Sequence, residues 1–190
     1  MTLHRSDIFP VAVAKALLSP GFMLPWASHA MLHMTSAFRT KVEDICDHGN
    51  NAPTVLVVPG FTHNSLDLRA MAESLARTHN VVFAPELPWY TGTVRQIGAL
   101  VRDKSLRVLQ TQEKNQDLTV LGHSLGGVVG VHSLFPKDPS IKKKALPISK
   151  LYTVGSPHGG VPWAGYLPII PVLRDISDAG SLYAGLEKKT

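Results

Sequence analysis

The sequence is poor in cysteine, in aromatic residues and in charge. Cys46 is the only cysteine among 190 residues, which excludes an internal disulfide and favours a reducing compartment such as the cytoplasm. Aromatic residues make up 7% and charged residues 17%, against 44% hydrophobic residues, so the chain belongs to the ordinary globular class and not to the disordered one. No apolar run reaches the roughly 18 residues that a membrane-spanning helix needs.

Residues 1–30 leave the location open. Their apolar stretch follows His4 and Arg5 and ends in small residues, as a signal peptide does, but Lys15, Pro20 and Pro25 interrupt it. A packing extension or an interfacial segment is the favoured interpretation. Secretion and membrane association therefore stay open beside the cytoplasm.

Acidic residues are also scarce: 14 Asp and Glu stand against 19 Lys and Arg, giving a net charge of +5. Much of the excess lies in one stretch with several prolines, at Lys137, Lys142, Lys143, Lys144 and Lys150. Such a cluster could contact anionic lipid or nucleic acid. Because no aromatic residues are interleaved with it, we interpret it as a solvated loop and expect no nucleic-acid partner.

What the sequence does contain is an alternation of short β-branched runs and amphipathic stretches. Strands are predicted over 54–60, 81–88, 118–122 and 150–157, and helices over 66–80, 93–112 and 125–135. This alternation predicts an α/β fold, a parallel sheet with helices on both faces that is truncated after its fourth strand. Residues 1–50 lack the pattern and are expected to form a helical or irregular extension to a core over 51–190.

The segment LTVLGHSLGG (118–127) carries the chemistry. Ser124 lies between a predicted buried strand and a predicted helix, with Gly122 and Gly126 two positions to either side. A strand that passes directly into a helix turns sharply, strains the residue at the bend and leaves no room for side chains at the two glycines. This context predicts that Ser124 is a nucleophile.

An oxyanion hole is predicted beside it. Attack on an ester carbonyl places negative charge on oxygen, which backbone N–H groups stabilise. One donor is expected to be the N–H of Leu125, and the other the N–H of Phe61 or Thr62 in the loop PGFTHN (59–64).

The segments VLVVPGF, LTVLGHSLGG and LYTVGSPHGG together resemble those of bacterial lipases and esterases of the α/β-hydrolase superfamily. The resemblance covers roughly residues 54–160. It implies hydrolysis of a carboxylic ester, from a small molecule or a lipid, through an acyl-serine intermediate, with neither a metal nor an organic cofactor. It also implies that a cap or lid begins within about 159–190, and 163–171 is the expected acyl-chain contact.

The remaining catalytic partners are not evident. In the family the nucleophile is followed by Asp or Glu and then by His, but after Ser124 the only histidines are His132 and His158. His132 is interpreted as a packing residue on the helix. His158 or His63 is the candidate substitute base, with Asp175 to orient it.

Three interpretations stay open: a piece of a longer lipase, a short relative with a substitute base, and a binding protein without catalysis. The candidate pocket residues are His63, His123, His158 and Trp163. Further aromatic candidates for the pocket wall are Phe61, Trp89, Tyr90 and Tyr166. The oligomeric state stays open, and contact with a lipid surface is a further expectation.

Overall fold

The computed structural model describes residues 44–46, 48–49, 52–63, 65–111, 118–134, 148–178 and 183. The expected N-terminal extension, with its signal-like stretch, lies almost wholly outside these residues. So do the lysine cluster, apart from Lys150, and most of the end of the chain beyond residue 178.

Four strands form one parallel sheet in the order β2-β1-β3-β4. They are β1 (Thr54–Val58), β2 (Asn80–Phe83), β3 (Leu118–His123) and β4 (Ile148–Val154). The helices that connect or follow them are α1 (Arg69–Leu75), α2 (Val94–Thr111), α3 (Leu125–Leu134), a 3₁₀ helix (Pro162–Tyr166) and α4 (Pro171–Ile176). The predicted α/β class and parallel sheet are thus confirmed.

Alternation along the strands divides the core into two layers. Leu56 and Val58 of β1 face a cluster that includes the buried sides of α2, α3 and α4. Val55 and Val57 face the opposite side, where Ala72 of α1 packs. Every residue of β1 is buried, as expected of a central parallel strand covered on both faces.

The second strand and the first helix differ most from the ranges that the sequence pattern predicted. The second strand ends at Phe83 and not at residue 88, because Pro85 has no N–H to donate to a ladder. The first helix covers 69–75 and not 66–80: Leu68 precedes it without a side-chain cap, and Asn80 already belongs to β2. Helix α2 matches closely, with Val94, Ile97, Val101 and Val108 all buried.

The two edges of the sheet differ. Beyond β2, Ile45 forms an antiparallel bridge with Val81 through two backbone hydrogen bonds of 2.8 and 2.7 Å. Residue 45 therefore extends the sheet, although the sequence analysis placed it in a separate extension. At the other edge β4 pairs with β3, and most of its side chains are exposed within the described part of the chain.

Candidate active site

Ser124 is the single residue between the last residue of β3 and the first residue of α3. Its φ is +51°, in the left-handed region that non-glycine residues rarely adopt. Its N–H donates a 2.8 Å hydrogen bond to the carbonyl oxygen of Val154 at the end of β4, and its side chain is half-buried. The serine is therefore held in a strained bend at the carboxyl edge of the sheet and is open to solvent on one side.

Glycines around the bend allow three segments to meet there. A Cβ at Gly126 would lie closer than 3.0 Å to the carbonyl oxygens of Val58 and Pro59 at the end of β1. A Cβ at Gly122 would meet the backbone of Gly127 in the same way. Since real Cβ atoms do not approach backbone so closely, a side chain at either position would push α3 away from the sheet.

The loop after β1 closes on the serine from the other side. A Cβ at Gly60 would lie 2.8 Å from the Cβ and 3.4 Å from the Oγ of Ser124, so the two backbones are in direct contact. The N–H of His63 donates to the carbonyl oxygen of Gly60 at 3.0 Å, which closes a turn over Gly60, Phe61, Thr62 and His63. Thr62 has a φ of +62°, as the third residue of a type II turn does, although that position normally holds glycine.

The two expected N–H donors belong to these segments. Leu125 is the first residue of α3, where backbone N–H groups have no acceptor within the helix. Phe61 is the second residue of the turn, whose closing hydrogen bond does not use its N–H. Leu125 directly follows Ser124, and Phe61 directly follows Gly60, at which a Cβ would lie 2.8 Å from the Cβ of Ser124.

His63 and His123 form a second pair at the same edge. Their rings contact edge to face, with centroids 5.4 Å apart and planes at 81°. Burial lowers the pKa of His123 below its ordinary value of 6.5, and the neighbouring His63 lowers it further. Among the described residues, the buried Nδ1 atom of His123 has no hydrogen-bond partner. An uncharged imidazole suits these surroundings.

His158 forms hydrogen bonds with the side chains of Tyr183 and Thr153. Its Nδ1 lies 2.8 Å from the hydroxyl of Tyr183 and its Nε2 lies 3.0 Å from Oγ1 of Thr153, so both ring nitrogens take part in hydrogen bonds. Tyr183, whose pKa is raised by burial, also stacks on His132 at 5.8 Å, which agrees with a packing role for that histidine. His158 thus links Thr153 of β4 to Tyr183.

Asp175 accepts a hydrogen bond at the start of helix α2. Its Oδ2 accepts a 3.0 Å hydrogen bond from the N–H of Val94, the first residue of α2. A carboxylate there satisfies a free N–H and interacts favourably with the helix dipole. Asp175 therefore acts as a cap of helix α2. This hydrogen bond does not join Asp175 to a histidine.

Aromatic rings cover the loop that holds Phe61. The Phe61 ring packs edge-on against buried Trp89, with centroids 6.4 Å apart, and at a tilt of 57° against Tyr90, with centroids 5.5 Å apart. Burial raises the pKa of Tyr90. Of the five aromatic candidates, Phe61 thus contacts two others, Trp89 and Tyr90. Trp163 and Tyr166 instead lie on the 3₁₀ helix and are 46% and 47% exposed.

Within the described ranges, no three His, Cys, Asp or Glu side chains converge on a point where they could hold a metal ion. Among the same residues, no helix is both long and apolar enough to cross a membrane.

Two features of the site have no clear signal in the sequence. Nothing in PGFTHN marks Thr62 for a positive φ, because glycine and asparagine are the residues that usually announce one. The link between Ser124 and Val154 depends on the register of β3 against β4, which periodicity alone does not fix.

Comparison with known proteins agrees with the α/β fold. Residues 55–187 match the family model described as the alpha/beta hydrolase family. No curated protein matches the sequence.

Similar solved structures are enzymes that share the fold at low identity. They include the lipase BlEst2 of Bacillus licheniformis in its propeptide form (TM-score 0.58, 19% identity, 75% of this chain and 33% of that one). A metagenomic carboxyl esterase, MGS0156, gives a TM-score of 0.52 at 15% identity over 73% of this chain and 46% of its own. Esterase B of Lactobacillus rhamnosis, in a structure with a tributyrin phosphonate inhibitor, gives 0.55 at 13% identity over 94% of this chain and 72% of its own. The chain thus spans a third to less than half of the first two structures.

Proposed function

Because the chain belongs to the alpha/beta hydrolase family through residues 55–187, we propose that it is a serine hydrolase that cleaves carboxylic esters. The observation that carries the proposal is the strained, half-buried Ser124 between β3 and α3, in contact with the loop after β1. Strain of this kind persists where the surrounding structure enforces it, and it is concentrated at functional sites.

The proposed reaction begins at the Oγ of Ser124. The oxygen attacks the ester carbonyl carbon while its proton passes to a base, and the carbonyl π electrons move onto the oxygen. The N–H groups of Phe61 and Leu125 stabilise that oxyanion. Collapse expels the alcohol, which takes up the proton, and leaves an acyl-serine; water then attacks the same carbonyl and releases the acid.

The substrate we propose is an ester with an apolar acyl group, including a lipid. Phe61, Trp89 and Tyr90 form an aromatic cluster beside the proposed oxyanion loop. An acyl chain that packs on such a surface gains roughly 0.8 kcal/mol for each buried methylene. The similar structures, a lipase and two esterases, support the same substrate class.

A second candidate is a protein that binds acyl esters without turning them over. A serine hydroxyl is a weak nucleophile unless a base takes its proton. His158 contacts Tyr183 and Thr153 through its two nitrogens, and Asp175 caps α2, so this pair is already engaged elsewhere. That observation favours binding alone.

Hydrolysis of p-nitrophenyl butyrate separates the two functions. We expect the chain to release nitrophenol and Ser124→Ala to fall to the buffer background. Ser74→Ala, a change at an exposed serine of α1, is the matched control and should keep the full rate. Equal rates for Ser124→Ala and the unaltered chain would refute the proposed hydrolase, whereas saturable binding of the ester by both without turnover would support the binding protein.

A further inference from the structure

His63 forms hydrogen bonds with two consecutive peptide groups of the loop after β1. Its backbone N–H donates to the carbonyl oxygen of Gly60 at 3.0 Å, and its ring Nδ1 lies 3.0 Å from the carbonyl oxygen of Phe61. A carbonyl oxygen can only accept a hydrogen bond, so Nδ1 must carry the proton. One residue therefore fixes the direction of both carbonyl groups.

The directions of two N–H groups follow from those of the carbonyls. In a trans peptide the C=O and the next N–H point to opposite sides of the chain. The hydrogen bond to Gly60 thus turns the N–H of Phe61 away from His63, and the hydrogen bond to Phe61 does the same for the N–H of Thr62. One of these two N–H groups was expected to donate to a developing oxyanion, together with the N–H of Leu125.

The ring hydrogen bond also accounts for the conformation of Thr62. A β-branched residue at a φ of +62° is an outlier, and rotation of the Phe61–Thr62 peptide would relieve it. That rotation would swing the Thr62 N–H to the other side of the loop and break the contact with His63 Nδ1. The imidazole of His63 also packs edge to face against His123, the residue that precedes Ser124.

From these contacts we infer that His63 is a positioning residue, whose Nδ1–H keeps the loop over 60–63 oriented for binding an oxyanion. The inference rests on the proposed hydrolase function. It differs from the base role expected from the sequence, because orienting the loop uses only the Nδ1–H donor and needs no proton transfer at Nε2. Asparagine could replace histidine in this role, since its side-chain NH₂ stands at the same distance along the side chain as Nδ1, whereas it could not replace a base.

The kinetic test compares His63→Asn with His63→Ala on p-nitrophenyl butyrate. Removing one oxyanion donor costs about 100- to 1000-fold in kcat in other enzymes, so misdirecting one should cost about 10- to 100-fold. We expect His63→Ala to lose this factor in kcat at an unchanged KM, and His63→Asn to stay within about threefold of the unaltered chain. His79→Ala, a change on the turn between α1 and β2, is the histidine control and should keep the full rate. An asparagine variant as slow as the alanine variant, or an alanine variant at full rate, would overturn the inference.

A second readout does not depend on turnover. In protein with ¹⁵N-labelled histidine at pH 8, the His63 ring should show the tautomer with the proton on Nδ1. The backbone amide signals of Phe61 and Thr62 should move in His63→Ala and return in His63→Asn. A proton on Nε2, or amide signals indifferent to both changes, would overturn the inference. If the tautomer and amide shifts were found in a chain without hydrolase activity, the proposed function would fail while the orienting contact would stand.

Discussion

At the scale of single residues, strain is concentrated where the loop after β1 meets the end of β3. Ser124 and Thr62 are the non-glycine residues with positive φ in the described part of the chain, and each belongs to one of these two touching segments. A left-handed conformation costs roughly 1–2 kcal/mol for each such residue. Hydrogen bonds from Ser124 to Val154 and from His63 to Phe61 offset that cost locally.

His123 should make stability depend on pH. Its pKa is lowered in the folded chain, first by burial and then by His63, so folding favours the neutral ring. The contribution of neutral His123 to the free energy of unfolding is fully present above the unfolded pKa of about 6.5. It is lost as the pH falls from there through the lower pKa of His123 in the folded chain. Urea unfolding at pH 8.0 and at pH 5.0 measures the loss. His123→Phe keeps a ring against His63 but cannot titrate, and it should lose less stability between these two pH values; an equal loss would contradict the assignment.

The residue scale also shows what the sequence could predict of the site. The bend at Ser124, with a glycine two positions to either side, could be predicted because the motif lies between a strand pattern and a helix pattern. The contacts of His158 and Asp175 could not be read from the sequence. They depend on how the turn after β4 and helix α4 fold back, and no local spacing encodes that packing.

At the scale of elements, the first turn of α3 lies close to the end of β1, and the absence of a side chain at Gly126 makes this approach feasible. Gly126→Ala should force the new methyl against the carbonyl groups of Val58 and Pro59, and overpacking of this kind costs about 1–3 kcal/mol. Thermal and urea unfolding measure the loss.

Gly159 is the matched control for that change. Nothing lies within 4 Å of a Cβ built there and its φ is not positive, so Gly159→Ala should be neutral or slightly stabilising. Equal unfolding midpoints for the two variants would contradict the tight junction between α3 and β1.

Elements with strong periodicity could be predicted almost to their ends. Helix α2 was expected over 93–112 and covers Val94–Thr111, because its buried positions repeat at helical spacing. Helix α1 was overestimated, since its apolar face continues into residues that form turns and the start of β2. The bridge at Ile45 could not be predicted, because a single pair at a sheet edge leaves no period in the sequence.

At the scale of the whole molecule, two groups of large apolar side chains are exposed in the described part of the chain, besides Tyr90 and Leu100. Tyr152 and Val154 project from edge strand β4, at 54% and 48% exposure. Trp163, Tyr166 and Ile169 follow the turn after β4, and Ile169 is 87% exposed. Neighbouring exposed apolar side chains are typical of contact surfaces.

We expect the second cluster to favour long acyl chains. Trp163→Ser combined with Ile169→Ser removes apolar surface without disturbing the buried core, since both side chains are exposed. The ratio of kcat/KM for p-nitrophenyl octanoate over acetate should fall about three- to tenfold, the effect of losing contact with one or two methylenes. Tyr152→Ser, at an exposed aromatic residue on β4, is the control and should leave the ratio unchanged. An unchanged ratio in the double variant would refute acyl-chain contact by the 163–171 segment.

The central claim, an activated serine in a strained bend, is tested most directly by covalent labelling with a fluorophosphonate followed by peptide mass mapping. The account predicts one adduct on Ser124 of the folded chain, lost in Ser124→Ala and lost when the protein is denatured before labelling. Labelling of the unaltered chain no greater than that of Ser124→Ala, or adducts only on other residues, would contradict it.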